Sequence, residues 1–162
     1  MILVILDYIS VVPFLFVLST IHSSIVNNNI NELFFFFWMI GTSVIVELIK
    51  RIKYPPFLYN ITRRPKGSYN TDFLSRNGRQ PDNTPGFPSG HMAITTLYCY
   101  IKILKLNMKN VIGRSYYILI IILMGVSRYF KKCHNLVQIL FGSLFGLVSG
   151  ITLIRSKLIK LN

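Results

Sequence analysis

Two histidines stand out by the residues around them. His91 closes the run Pro88-Ser89-Gly90-His91 just ahead of an apolar stretch, and His134 follows Ser127-Arg128 after five residues, at the head of another. A serine beside a proline is ordinary helix-starting chemistry, because its hydroxyl accepts from the first backbone N–H groups. The same helix N-terminus also binds anions through those N–H groups and the macrodipole. Gly90 lets a ligand come close to the backbone, and His91 in the first turn is placed to deliver a proton. Arg128, ending an apolar helix, brings a planar fork suited to oxyanions. Helix punctuation and anion site use the same residues, so the elements that position them must decide.

Further candidates lie on either side. The segment Asn60–Asn70 carries Arg63, Arg64 and Lys66, and Lys50, Arg51 and Lys53 follow the second apolar run. Glu47 is at helical spacing to pair with Lys50 or Arg51, which leaves Lys53 the freest of the three. On the last apolar run His134, Gln138, Gly142, Gly146 and Gly150 recur every four residues and so share one helix face. Glycines at that spacing let helix backbones pack closely in a membrane. The seam turns His134 and Gln138 inward, where Gln138 can accept a hydrogen bond from one histidine nitrogen and leave the other free. Cys133 adjoins His134 but points elsewhere on a helix, so a Cys–His pair is not expected. Cys99 and Cys133 are expected to be inert, and no disulfide is expected. The three histidines and five carboxylates are too scattered for a metal cage.

Composition says what must carry these residues. The chain has 162 residues, 52% of them hydrophobic and only 14% charged, with a mean hydropathy of +0.50. That much apolar surface cannot be hidden in one small core, so a membrane protein with one domain over 1–162 is expected. Net charge is +13, but the bases lie between apolar runs, which favours phosphate at a membrane surface over nucleic acid. The N-terminus lacks a basic start and a small-residue cleavage pattern, and is read as a retained span.

Five apolar runs predict an all-α polytopic bundle of about five spanning helices: Ile2 to Val26, Glu32 to Lys50, the His91 segment to Leu106, Ser115 to Phe130, and His134 to Ile154. The third and fourth are the shorter ones; Lys102 and Lys105 would snorkel from the third, and the fourth is the alternative buried helix. Traced as a zigzag, the chain brings the polar loop over 54–87, Ser89, Arg128 and His134 to one membrane face. A loop of that length is usually functional or disordered.

Taken in order, Arg64-Pro65, Pro88-Ser89-Gly90-His91 and Ser127-Arg128-x5-His134 resemble the type 2 phosphatidic acid phosphatase superfamily. That superfamily also contains bacterial lipid phosphatases, polyprenyl-diphosphate phosphatases and vanadium haloperoxidases. The resemblance spans about Lys50 to Gln138 and implies a hydrolase without metal or cofactor, acting on a membrane lipid phosphate or polyprenyl diphosphate. It implies His134 as nucleophile, His91 as general acid, and Arg64, Arg128, Ser89 and the Gly90 N–H as the phosphate clamp. Two positions depart from the family pattern. The lysine expected six residues before Arg-Pro is Phe57, so Lys53 or Lys50 would serve. The aspartate expected after the second histidine is Gln138, similar to the dolichyl-diphosphate phosphatase branch, which tilts the expected substrate toward diphosphates.

A carboxylate would stabilise an imidazolium where an amide only orients it, so Gln138→Asp is expected to turn over equally or faster. Relatives hold this site on the lumenal or extracytoplasmic side, and Asn60-Ile61-Thr62 is a glycosylation pattern that fits a lumenal loop; the Lys/Arg bias nominally favours the cytosol. The alternative function is a catalytically silent relative that binds lipid phosphates as a membrane organiser or lipid mover. A channel or carrier fits poorly, since no broken-helix pair marks a central site.

Overall fold

The computed structural model describes residues 2–68, 84–107 and 109–160. Residues 69–83 of the polar loop, including Arg76 and Arg79, lie outside the described residues. The chain is an all-α bundle: α1 (Ile2–Val26), α2 (Ile30–Lys50), α3 (Tyr59–Thr62), α4 (Gly90–Lys105), α5 (Val111–Phe130) and α6 (Leu136–Arg155). Three of the long helices begin on asparagines: the Asn29, Asn110 and Asn135 side chains accept from the first backbone N–H groups of α2, α5 and α6.

Four helices, α1, α2, α5 and α6, are long and apolar enough to cross a membrane. Their outer faces expose Phe37, Ile45, Ile118 and Leu140, as lipid-facing surfaces do. The third run folds differently from the other four. With 16 residues, α4 is about 24 Å long, and it is the buried element, with Ala93, Leu97, Cys99 and Ile101 fully enclosed. The sequence offered the fourth run as the alternative buried helix; that place belongs to the third, and α5 is exposed along much of its length.

Glycines decide how α4 sits. A Cβ on Gly142 would stand 2.5 Å from the Ser89 carbonyl oxygen, and one on Gly146 would run into the Ala93 carbonyl. The expected seam on α6 therefore receives α4, backbone against backbone. On the far side Glu32, at the start of α2, is buried and pairs with Lys105 at 2.7 Å and Lys102 at 3.3 Å. These lysines do not snorkel to the surface; they lock the end of α4 to the start of α2. Ser149 of α6 takes the Trp38 indole N–H at 2.9 Å and bonds the Thr42 hydroxyl at 2.8 Å, which fixes α2 against α6. Phe16 of α1 stacks on Tyr98 of α4. The ends of α2 and α5 and the starts of α4 and α6 thus share one face of the bundle.

The seam makes a paired prediction. Gly146→Ala forces its methyl into the Ala93 carbonyl and should cost about 1–3 kcal/mol, lowering the thermal midpoint in detergent. Gly41→Ala, where a Cβ meets nothing within 4 Å, should leave the midpoint unchanged or raise it. Equal behaviour of the two variants would remove the seam as the organising contact.

Candidate active site

The seam brings the two histidine segments together. The Ser89 backbone N–H donates to the Gln138 carbonyl at 3.1 Å, so the first turn of α4 rests on the first turn of α6. Ser89 occupies the cap position of α4, yet its hydroxyl does not cap its own helix. It is fully buried with no hydrogen-bond partner among the described residues. A buried hydroxyl left this way is costly unless something else engages it.

The polar loop is zipped at its base beside this turn. The Arg64 N–H donates to the Thr84 carbonyl at 2.9 Å, and the Gly86 N–H to the Thr62 carbonyl at 2.8 Å, around a bridge between Arg63 and Pro85. Gly86 must lack a side chain, because a Cβ there would stand 2.8 Å from both Arg64 Cγ and Gln138 Oε1. The zipper aims Arg64 inward: its Nε donates to the Pro85 carbonyl at 3.3 Å and its Nη1 to the Cys133 carbonyl at 3.2 Å. Arg63 turns away onto the Tyr59 ring.

His134 does not begin a helix as its sequence position suggested. It lies two residues before α6, in a turn whose N–H groups at Cys133 and His134 donate to the Arg128 carbonyl at 3.0 and 3.3 Å. Its Nδ1 still lies 3.0 Å from Gln138 Oε1, because Asn135 and Gln138 form a capping box that folds the glutamine back toward it. The orientation of the glutamine amide follows from its other partners. Gln138 Nε2 donates to the Ile61 and Arg63 carbonyls, both at 2.7 Å, so Oε1 is the atom that faces His134. An acceptor there requires His134 to carry its proton on Nδ1. Nε2 is left with its lone pair. Burial first, then the Arg64 and Arg128 guanidiniums, hold His134 well below the ordinary imidazole value, against the pull of the Gln138 bond. The ring is therefore neutral at pH 7 and protonates only well below pH 6.5, the direction a nitrogen nucleophile needs.

His91, His134, Arg64, Lys50 and Arg51 line one end of a cavity of about 660 Å³. Pro13, Phe14, Val17, Met39 and Ile40 line its apolar end, between α1 and α2. Lys50 pairs with Glu47 at 2.5 Å, and its Nζ lies 3.7 Å from where a Cβ on Gly90 would stand. Lys53 is exposed and is not part of the lining; the structure gathers Lys50 rather than Lys53 with the histidines. Arg128 is fully buried beneath the His134 turn.

The family described as the PAP2 superfamily matches residues 31–160. The chain belongs to that superfamily. Membership and four membrane-length apolar helices make it a membrane protein of a phosphatase family. The chain matches no curated protein and no solved structure.

Gln138 supplies a prediction opposite to the one its sequence position suggested. Gln138→Glu keeps the length but sets a carboxylate against the Ile61 and Arg63 carbonyls, and Gln138→Asp is also too short to reach them. Leaving those carbonyls without donors costs about 1–3 kcal/mol and releases the segment that carries Arg64. Phosphate release by either variant should be at least about tenfold slower than by the unsubstituted protein, 1.4 kcal/mol being a factor of ten. Turnover equal to or faster than the parent's would return Gln138 to a merely tolerated replacement for aspartate.

Proposed function

We propose that this protein is an integral-membrane phosphohydrolase of lipid phosphates or polyprenyl diphosphates, working without a metal through a phosphohistidine on His134. The observation that carries the reading is the locked tautomer. With Nδ1 held by Gln138 Oε1, the neutral ring offers Nε2 to a cavity that also contains His91, Arg64 and Lys50.

In the first step Nε2 attacks phosphorus, a P–N bond forms, and the bond to the leaving oxygen breaks as His91 gives that oxygen a proton. Burial and the surrounding cations hold His91 well below the ordinary imidazole value before substrate binds. The proton is one it takes up with the anionic substrate, whose charge offsets those cations. In the second step His91 takes a proton from water, the hydroxide attacks phosphorus, and the P–N bond breaks to release phosphate. Arg64, Arg128 and Lys50 stabilise the charge on the non-bridging oxygens. The Ser89 hydroxyl and the Gly90 N–H at the start of α4 donate to them as well. A lipid substrate is supported by the other end of the cavity, where apolar residues of α1 and α2 continue from the charged end. On this reading the face lies on the lumenal or extracytoplasmic side, in keeping with the Asn60-Ile61-Thr62 pattern beside it, whose Asn60 is exposed.

Purified in detergent with EDTA present, the protein should release phosphate from phosphatidate or farnesyl diphosphate, and His134→Ala and His91→Ala should each abolish it. Acid-labile radiolabel trapped from substrate should map to His134. Undiminished activity in His134→Ala would overturn the mechanism, and no activity with any substrate would leave a silent binder of lipid phosphates. For orientation, Lys66→Cys on the site's face should react with an impermeant maleimide from the extracytoplasmic side of intact cells. Labelling only after permeabilisation would place the site in the cytosol.

A further inference from the structure

The family match begins at Asn31, in the first turn of α2, and leaves α1 outside it. Yet α1 reaches the candidate site through more than the cavity wall. Three side chains from the end of α5 bond to the first three turns of α1. Arg128 Nη2 donates to the Ser10 hydroxyl oxygen. Lys131 Nζ pairs with Asp7 at 2.5 Å and donates to the same Ser10 oxygen at 3.2 Å. The Ser127 hydroxyl donates to the Leu6 carbonyl at 3.0 Å.

Ser10 is the centre of this group, and its bonding is directional. Its own hydrogen goes to the Leu6 carbonyl at 2.8 Å, one turn back along α1. A serine hydroxyl has one hydrogen and two lone pairs, so with the hydrogen committed both lone pairs serve the two cations. The division of charge is informative. Asp7, the carboxylate of this group, goes to Lys131, whereas Arg128 receives from α1 a neutral acceptor. A neutral oxygen fixes where a guanidinium points without itself setting a negative charge beside it. A serine in an apolar helix ordinarily only back-bonds to its own carbonyl; here that back-bond orients the acceptor.

We infer that Ser10 is a positioning residue for Arg128, which makes α1 a working part of the phosphate site rather than an anchor ahead of it. The inference rests on the reading of Arg128 as a phosphate ligand. It is tested with orthovanadate, whose five-coordinate form resembles phosphorus under attack, by protection against thermal unfolding in detergent alongside phosphate release. Ser10→Ala should weaken vanadate binding and kcat/KM by about tenfold. Ser10→Cys keeps the volume with a weaker acceptor and should change both in the same direction, while Ser10→Thr should restore both. In an Arg128→Lys background, Ser10→Ala should cost less than about twofold more. Thr20→Ala removes a buried α1 hydroxyl that, among the described residues, bonds only its own helix and should leave vanadate affinity unchanged.

Parental vanadate affinity in Ser10→Ala and Ser10→Cys would overturn the inference, as would an equal loss with Arg128 and with Lys at that position. A parent protein that hydrolyses nothing but shows the Ser10–Arg128 coupling on vanadate would overturn the hydrolase reading alone. A parent that binds no vanadate would overturn both.

Discussion

Everything at the candidate site depends on how closely α4 and α6 approach. Gly142 and Gly146 let the α4 backbone rest on α6 at distances where any Cβ would overlap a carbonyl oxygen. In a bilayer the apolar effect does not drive helices together, so close backbone packing of this kind is one of the main sources of association. The contact also sets the chemistry. It places the Ser89 N–H on the Gln138 carbonyl, and so fixes the start of one motif against the start of the other. His91 and His134 share a cavity because the glycines between their helices are small.

The second constraint is the Gln138 side chain, which joins three parts of the chain. Its Oε1 faces His134 and its Nε2 binds the Ile61 and Arg63 carbonyls. A carboxylate has only acceptors, and could hold the histidine but not the loop. The amide sets no charge beside the ring and holds the segment leading into Arg64. That segment delivers a guanidinium whose positive charge helps keep His134 neutral. The departure from the family pattern is thus tied to the way this loop folds over the site.

How much of this was readable in advance depended on whether a residue's partner is set by helix period or by tertiary fold. The glycine stripe, its inward turn and the His134–Gln138 contact follow from a repeat of four, and the helix positions follow from apolar runs. His134 meets Gln138 although it is not helical, because the capping box returns Gln138 to it by another path. Ser10 was not readable. In α1, apolar on nearly every side, a serine has an ordinary explanation, and its bonds to Arg128 and Lys131 exist only once α5 is packed beside it. Glu32 is similar: Lys102 and Lys105 lie at an end where snorkelling is the natural expectation until a carboxylate from another helix is found between them. The ties from Gln138 to Ile61 and Arg63 required the loop's own path, which no periodicity encodes.

Which of Lys50 and Lys53 stands near the histidines depends on distant contacts. Spacing favoured Lys53 because Glu47 takes Lys50, and Glu47 does take it. But α2 is not free to slide. Glu32 locks its first turn to the end of α4, and Trp38 and Thr42 fix its middle to Ser149. With both points held, the length of α2 decides which residue arrives beside Gly90, and Lys50 is its last helical residue. Lys53 lies beyond the C-cap at Arg51, on a turn that leads away to the surface. An ion pair with an exposed glutamate holds Lys50 weakly, so Lys50 is able to turn from Glu47 toward an anion at the start of α4, where a lower dielectric strengthens charge attraction. The Glu47 pair is therefore no reason to exclude Lys50 from the cavity it lines.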